Sequence, residues 1–267
     1  MAILAQYGVL KCRESKTYRQ WENSENKEIH IVFTEINASD KVVFPSVQII
    51  VDGITTAATL YLCDNDTDTE IESFAMTVGL ETGYTQLIKT SAATTISTYG
   101  EGYYYLKIVH GDDTYYFDVF RCKDDVSGQL GITVTSSDFA MGKNKAYTFN
   151  MTGLTFLAYF NVWEKPYPFF EEDEEAEDTD GIVSPYYWSA AKVLSWVIDG
   201  TEPIFDFLGR LRGMLGNGTI SIIWHEDTYT VNDIEASVDE SFNDGDLLNI
   251  LIKIKPSNEV MTVINSI

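Results

Sequence analysis

Hydrophobic and polar residues alternate along most of the chain, in short runs that are separated by polar turns. A repeat of two residues is typical of β-strands that bury one face. In the first half of the chain this pattern predicts strands at 30–36, 47–51, 59–63 and 84–89. About seven such strands over about 100 residues, with a turn every 8 to 12 residues, indicate a β-sandwich of the immunoglobulin-like type.

The clearest predicted hairpin has arms at 103–110 and 114–122, joined by Gly111-Asp112-Asp113. Both arms alternate, and glycine suits the backbone angles of a tight turn. A polar stretch follows the second arm, and we place a domain boundary in it. The first domain, 1–125, is therefore predicted to be the immunoglobulin-like sandwich.

The second domain, 126–267, is predicted to be a β-barrel or sandwich that carries one short helix. Its strands are expected at 130–135, 146–149, 155–163, 192–198, 218–224, 228–231 and 247–254. The helix is expected at about 203–214, where apolar residues follow one another in steps of three and four. Pro203 suits the first turn of a helix, and Gly213 or Gly216 suits its end. The sequence thus predicts an all-β protein of two domains.

The most acidic segment, 171–180, has eight acidic residues in ten positions and aromatic residues on both sides. Such a block repels itself, so we expect an acidic loop. One interpretation is a loop that is only solvated. The other is a loop that docks on a basic neighbour and is anchored by its aromatic flanks. On this second interpretation the interaction residues are Phe169, Phe170, Glu171, Glu172, Asp173, Glu174, Glu175, Tyr186, Tyr187 and Trp188.

Composition narrows the range of partners. The 267 residues include 18 Lys plus Arg against 41 Asp plus Glu, a formal net charge of -23. This excess argues against unaided binding to nucleic acid or to an anionic membrane, which needs clustered cations. The first ten residues lack a basic segment, so we expect no signal peptide. The three cysteines are expected to be reduced and packed in the core.

Candidate chemistry is sparse. None of the three histidines lies at metal-ligand spacing, and His225-Glu226-Asp227 is expected to be a hairpin turn. The segment 64–70 offers oxygen ligands at alternate positions. However, Thr69 and Ala75 stand where a calcium-binding EF-hand loop needs Gly and Glu, so we expect a solvated turn. We therefore expect no catalytic residues, no cofactor and no metal.

Tyrosines on the predicted hairpin suggest an alternative function. They are Tyr103, Tyr104, Tyr105, Tyr115 and Tyr116. Strand alternation sends about half of them to the core, and the others remain for cross-strand pairs or for stacking on a ligand. The alternative is a receptor- or carbohydrate-binding module of a phage or bacterial surface.

Two stretches resemble structural proteins of phages and prophages of Bacteroides-type bacteria, including crAss-like tailed phages. The first is the hairpin at 102–120, which is similar to a family pattern that is roughly G-YY-I-I-x-DG-x-x-YYSE-F. Phe117 stands where that family often has Ser, and Asp118 where it often has Glu. The second is the C-terminal order of an acidic loop, a strand, a helix and closing strands. Together they cover about two thirds of the chain.

The resemblance implies a non-enzymatic virion structural protein, a tail or neck ring or adaptor subunit. It implies assembly in the host cytoplasm into a homo-oligomeric ring, of six or twelve subunits, with neighbouring tail or portal-associated proteins as partners. No residue with a chemical role is carried over from that family. The residues themselves agree with this view, because a closed ring covers exposed sheet edges. A net charge of -23 also keeps unassembled subunits apart.

Overall fold

The computed structural model describes residues 2–14, 32–35, 43–53, 57–81, 83–89, 92–93, 100–136, 139–141, 147–149, 154–164, 169–177, 183–201, 204–216, 218–244, 247–256 and 260–264. Over these ranges the protein is mostly strand, arranged in several antiparallel sheets with one helix. The predicted all-β fold class is confirmed.

The first half of the chain contributes thirteen described strands. They are β1 Ile3–Tyr7, β2 Cys12–Arg13, β3 Val32–Glu35, β4 Val43–Phe44, β5 Val47–Asp52, β6 Thr59–Asp64, β7 Glu70–Ala75, β8 Thr77–Glu81, β9 Tyr84–Lys89, β10 Ala92–Ala93, β11 Gly102–His110, β12 Asp113–Phe117 and β13 Phe120–Lys123. A four-stranded sheet has the order β1-β5-β9-β8, and β2, β12, β11, β6 and β7 belong to a larger sheet. Apolar side chains from both sheets, such as Ile49, Leu60, Leu87 and Leu106, are fully buried in one core. This arrangement is a β-sandwich.

The second half contributes the remaining strands and the helix α1, Ile204–Leu215. The strands are β14 Leu130–Ser136, β15 Phe139–Met141, β16 Tyr147–Phe149, β17 Thr155–Phe160, β18 Val162–Glu164, β19 Phe169–Glu177, β20 Val183–Lys192, β21 Leu194–Thr201, β22 Gly218–Trp224, β23 Asp227–Asp244, β24 Leu247–Pro256 and β25 Val260–Ile264. Most of them extend the larger sheet, whose order is β18-β21-β24-β23-β22-β14-β17-β3-β13-β11-β12-β2. Strands β19, β20 and β25 form a separate three-stranded sheet.

The larger sheet and the core both continue across the predicted domain boundary at residue 125. Strand β3 pairs in parallel with β13 and meets β17 on its other side, where Phe33 is opposite Tyr159. Tyr7 packs edge-on against Phe156, with ring centroids 4.8 Å apart. Its hydroxyl donates a hydrogen bond of 3.2 Å to the carbonyl of Met214 in α1. The division into two domains stays a prediction, and the two halves share one packed interior.

The helix predicted at about 203–214 is confirmed, with bounds at Ile204–Leu215. Leu208, Leu211, Met214 and Leu215 are buried, so the spacing that predicted the helix also defines its core face. The amide of Gly216 donates to the carbonyl of Arg212 at 2.9 Å, which completes the last turn. The expected start at 202–203 lies outside the described residues.

The predicted tyrosine-rich hairpin is confirmed, with one difference in its second arm. Gly111 adopts a φ of 55° in the turn between His110 and Asp113, a backbone angle that favours glycine. The second arm is divided into β12 and β13, because the register shifts by one residue between Tyr116 and Phe120. This bulge lies at Asp118, whose amide bonds the carbonyl of Lys11 instead of continuing the ladder with β11.

Candidate functional site

The interaction residues predicted from the sequence lie together on the sheet formed by β19, β20 and β25. Phe169 is opposite Lys192, Glu172 is opposite Ser189, and Asp173 is opposite Trp188. On its other edge β20 pairs with β25, where Trp188 is opposite Val263. The acidic strand and the aromatic strand are therefore direct neighbours in one sheet.

The prediction of a loop at 171–180 is wrong for residues 171–177, which belong to β19. Positions 178–180 lie outside the described residues. The physical reason is that pairing with β20 satisfies the backbone groups on one side of the acidic segment, which a sequence pattern of like charges does not reveal. The register shifts between Glu174 and Glu175, and Tyr186 is the additional residue at this bulge.

Strand β19 is an edge strand, because β20 is its only neighbour among the described strands. It carries six acidic residues, whereas β20 carries one cation, Lys192, and β25 carries no charge. The three strands therefore hold a formal charge of six negative minus one positive, or -5. An edge of this kind opposes pairing with a copy of itself and is complementary to a cationic neighbour.

A second feature is a tyrosine-rich surface on the outer side of β6, β11 and β12. Tyr105 and Cys63 are buried there, and Tyr61, Tyr103 and Tyr116 are half-buried around them. The other two tyrosines of the predicted set, 104 and 115, lie in the main core. Strand alternation therefore divides the tyrosines between two faces, as the sequence indicates.

Cations cover the ring faces of this tyrosine-rich surface. The ammonium of Lys107 lies 5.1 Å from the ring centroid of Tyr61, and the guanidinium of Arg121 lies 5.5 Å from that of Tyr103. Lys107 also forms an ion pair with Glu70. A sugar that stacks on these rings would compete with the two cations, and carbohydrate binding stays a prediction.

A third feature joins the two halves of the chain at the bulge residue Asp118. One carboxylate oxygen accepts a bond of 2.5 Å from Arg13, and the other accepts the amide of Lys11 at 3.0 Å. Arg210 of α1 approaches the same carboxylate at 3.8 Å and donates from Nε to the carbonyl of Val9 at 3.1 Å. Burial lowers the pKa of Arg210 to about 10, although Asp118 opposes this effect. The contacts of Asp118 were not predicted from the sequence.

Three cysteines and one histidine, residue types that often serve as nucleophiles or bases, are buried in the described structure. Cys12, Cys63 and Cys122 are free and buried, and burial raises the pKa of Cys12 and of Cys63. His110 is 4% exposed, stacks on Tyr115 and has a pKa that burial lowers. Within the described residues, no three His, Cys, Asp or Glu side chains are grouped so that they could hold a metal ion.

Two further expectations concern turns. His225 lies in the turn between Trp224 and Asp227 and has a φ of 54°, so the predicted hairpin turn is confirmed. In the segment 64–70, one carboxylate oxygen of Asp64 accepts the amides of Asp66 and Thr67 at 2.9 and 2.7 Å. This carboxylate closes a local turn on its own backbone.

Among the described residues there is no helix of sufficient length and apolar character to span a membrane. Comparisons with protein-family models, with curated proteins and with solved structures give no match to this chain.

Proposed function

We propose that the protein is a non-enzymatic virion structural protein, a ring or adaptor subunit of a phage tail or neck. The observation that carries the proposal is the acidic edge strand β19, which lies beside the aromatic strand β20. This edge has backbone groups for a further strand and carboxylates for a cationic neighbour. It suits a permanent contact in an assembly better than a site for chemistry.

The partners that follow from this proposal are copies of the chain in a homo-oligomeric ring and neighbouring tail or portal-associated proteins. A closed ring gives every subunit the same neighbours and covers the sheet edges that lie at its subunit contacts. The subunit would assemble in the host cytoplasm and reside in the virion. The resemblance of the hairpin at 102–120 to crAss-like phage proteins supports the same assignment.

A second candidate function is receptor or carbohydrate binding, and the tyrosine-rich surface favours it. Tyr61, Tyr103 and Tyr116 are half-buried on the outer face of the sheet, and a sugar ring would stack on Tyr61 and Tyr103 by displacing Lys107 and Arg121 from their ring faces. Glycan-array binding that is lost in Tyr116→Ala would favour this candidate over the first.

The oligomer is tested by light scattering behind a sizing column, at low and high salt, together with negative-stain electron microscopy. We expect a discrete mass of several subunits and closed rings in the images. A monomer of 30.1 kDa at all protein concentrations would contradict the ring and leave the adaptor role.

The role of β19 is tested separately with an oligolysine peptide as the probe. A variant with Glu171, Glu172, Glu174 and Glu175 changed to Gln is compared with a variant that loses four exposed acids elsewhere. The control acids are Asp66, Asp112, Glu164 and Glu226, which are all exposed. The two variants have equal net charge, so any difference in binding between them depends on where the lost acids lie. We expect binding to weaken at least about fivefold more in the β19 variant than in the control. Equal weakening would show that the peptide senses only the total charge.

A further inference from the structure

Strand β8 forms an edge of the four-stranded sheet β1-β5-β9-β8. It pairs with β9 along its whole length, from Thr77 opposite Ile88 to Glu81 opposite Tyr84, without a bulge. In the described part of the chain no strand pairs with its other side. Among the described residues, a row of backbone amide and carbonyl groups on β8 is therefore open to another strand.

The other edges near β8 carry features that oppose strand addition. Strand β7 has Glu70 and Glu72, and β1 has a bulge next to Ile3, whose amide bonds the carboxylate of Glu14 at 3.4 Å. Strand β8 lacks proline, lysine and a bulge, and its only charge is Glu81 at its end. An edge without such features is expected to have a partner.

Strand β8 carries two apolar side chains on one face, Val78 and Leu80. Leu80 is 56% exposed, and Val78, on the same face, is half-buried and packs at the rim of the core. The strands β8 and β9 are joined by two residues, so the closing pair Glu81–Tyr84 is a hydrogen-bonded pair. Because such pairs alternate, Val78 and Leu80 direct their backbone groups away from β9.

We propose that β8 pairs antiparallel with β8 of a second copy of this chain, about a two-fold axis at Gly79. In this register Val78 is opposite Leu80 of the second copy, and the outward backbone groups of both residues meet. Two valines and two leucines then form one apolar cluster across the axis. Glu81 is opposite Thr77, so no two carboxylates face each other.

The charge of the whole chain explains why this edge, and not β19, pairs with its own copy. Two subunits with a net charge of -23 repel each other, and residues 73–80 form an uncharged segment. In β19, by contrast, a self-pair would oppose acids to acids. Since salt screens the long-range repulsion, pairing through β8 is expected to strengthen as the ionic strength rises.

This inference does not rest on the proposed virion function. A two-fold contact joins two subunits, or two rings through their subunits, and does not by itself close a ring. A mass of two subunits without rings in the images would therefore contradict the ring and support the β8 contact. Rings that form equally well in wild type and Leu80→Lys would support the ring without the β8 contact, and a monomer at all concentrations would contradict both.

The register is tested by cysteine cross-linking of the full chain. Gly79 is opposite itself across the axis, so Gly79→Cys places two thiols within disulfide distance. A side chain fits at this position, because a Cβ there meets Gln86 at 3.5 Å, an ordinary contact. The matched control is Leu80→Cys, which is more accessible but is opposite Val78. The native cysteines are buried and are not expected to react.

We expect covalent dimers to form at least about tenfold faster in Gly79→Cys than in Leu80→Cys under mild oxidation. Equal rates, or faster reaction at position 80, would overturn the proposed register, because random collision favours the more exposed thiol. The expected result would be specific to the two-fold pairing centred on Gly79.

The interface itself is tested by light scattering and sedimentation of Leu80→Lys. This variant changes an exposed residue of β8 and introduces a cation at the sheet edge, which opposes strand pairing. The control is Ala75→Lys, at an exposed position of β7 just outside the pairing register. We expect the dimer dissociation constant to rise at least about tenfold in Leu80→Lys only. A wild-type protein without any two-fold dimer, or an equal effect of both variants, would overturn the proposal.

Discussion

Arg210 in α1 and Asp118 at the bulge of the hairpin approach each other across the two halves of the chain, with Nη2 3.8 Å from Oδ2. Arg13 shares the same carboxylate, and all three side chains are largely buried. A carboxylate placed between two guanidinium groups offsets part of the loss of their hydration. The contact therefore fixes the helix against the first sandwich.

The first prediction concerns Asp118→Asn. This change leaves Arg13 and Arg210 partly buried without the opposing charge, which is the costly way to break a buried pair. We expect the free energy of unfolding in urea at neutral pH to fall by about 2–4 kcal/mol. Both halves of the sheet should lose stability together, since the contact joins them.

The control for Asp118 is Glu235→Gln. Glu235 pairs with Lys253 at 3.6 Å, but both side chains are exposed, so the expected loss is less than about 1 kcal/mol. A loss in Glu235→Gln as large as that in Asp118→Asn would contradict the special role of the buried cluster.

The second prediction concerns Gly131 on β14. A Cβ at this position would lie 2.8 Å from the ring of Tyr159 and 3.0 Å from Cβ of Ile223. We expect Gly131→Ala to lower the free energy of unfolding by about 1–3 kcal/mol, because neighbours on both sides have to move. Gly128→Ala is the control, since nothing lies within 4 Å of its Cβ, and should change stability little. Equal stability of the two variants in urea would refute the packing argument.

The third prediction concerns thiol reactivity. Cys12, Cys63 and Cys122 are buried, and burial raises the pKa of the first two, so little thiolate is present near neutral pH. We expect negligible reaction of the native protein with a chromogenic disulfide reagent at pH 8. All three thiols should react after unfolding in urea. Rapid labelling of any one of them in the native protein would show that its part of the core opens readily.

Strands and the helix were predictable where the hydrophobic period was regular. Leu208 and Leu211 mark the buried face of α1 both in the sequence pattern and in the structure. The bulge at Asp118 was not predictable, because it depends on residues 11, 13 and 210, which are distant in sequence. The family pattern often has Glu at the position of Asp118, but the pattern does not explain why an acidic residue is needed there.

The residues of the candidate contact surface were predictable from the sequence, but the strand that the acidic residues form was not. The sequence indicates that the acidic residues around Glu172 and the aromatic residues around Trp188 act together as interaction residues. The pattern of like charge indicated a loop, whereas β19 is a strand paired with β20. Strand pairing depends on a partner elsewhere in the chain, so a local charge pattern does not determine it.

The last prediction is a pH dependence that originates at His110. Its Nε2 lies 3.2 Å from the hydroxyl of Tyr115 in the core, and burial lowers its pKa although Asp113 acts in the opposite direction. Well above about pH 6.5 the imidazole is neutral in both the folded and the unfolded chain and contributes no pH dependence. Below that value the unfolded chain binds the proton more readily, so the free energy of unfolding falls as the pH decreases. The fall ends once the pH is below the pKa of the folded state.

The measurement is urea unfolding of wild type and His110→Gln at several pH values between 5 and 7.5. The comparison cancels contributions from the carboxylates, which both proteins share. We expect the wild type to lose stability relative to the variant as the pH falls through about 6.5. A constant difference across the range would show that His110 gains its proton equally easily in the folded and unfolded states. That outcome would mean that its surroundings admit water more readily than its 4% exposure indicates.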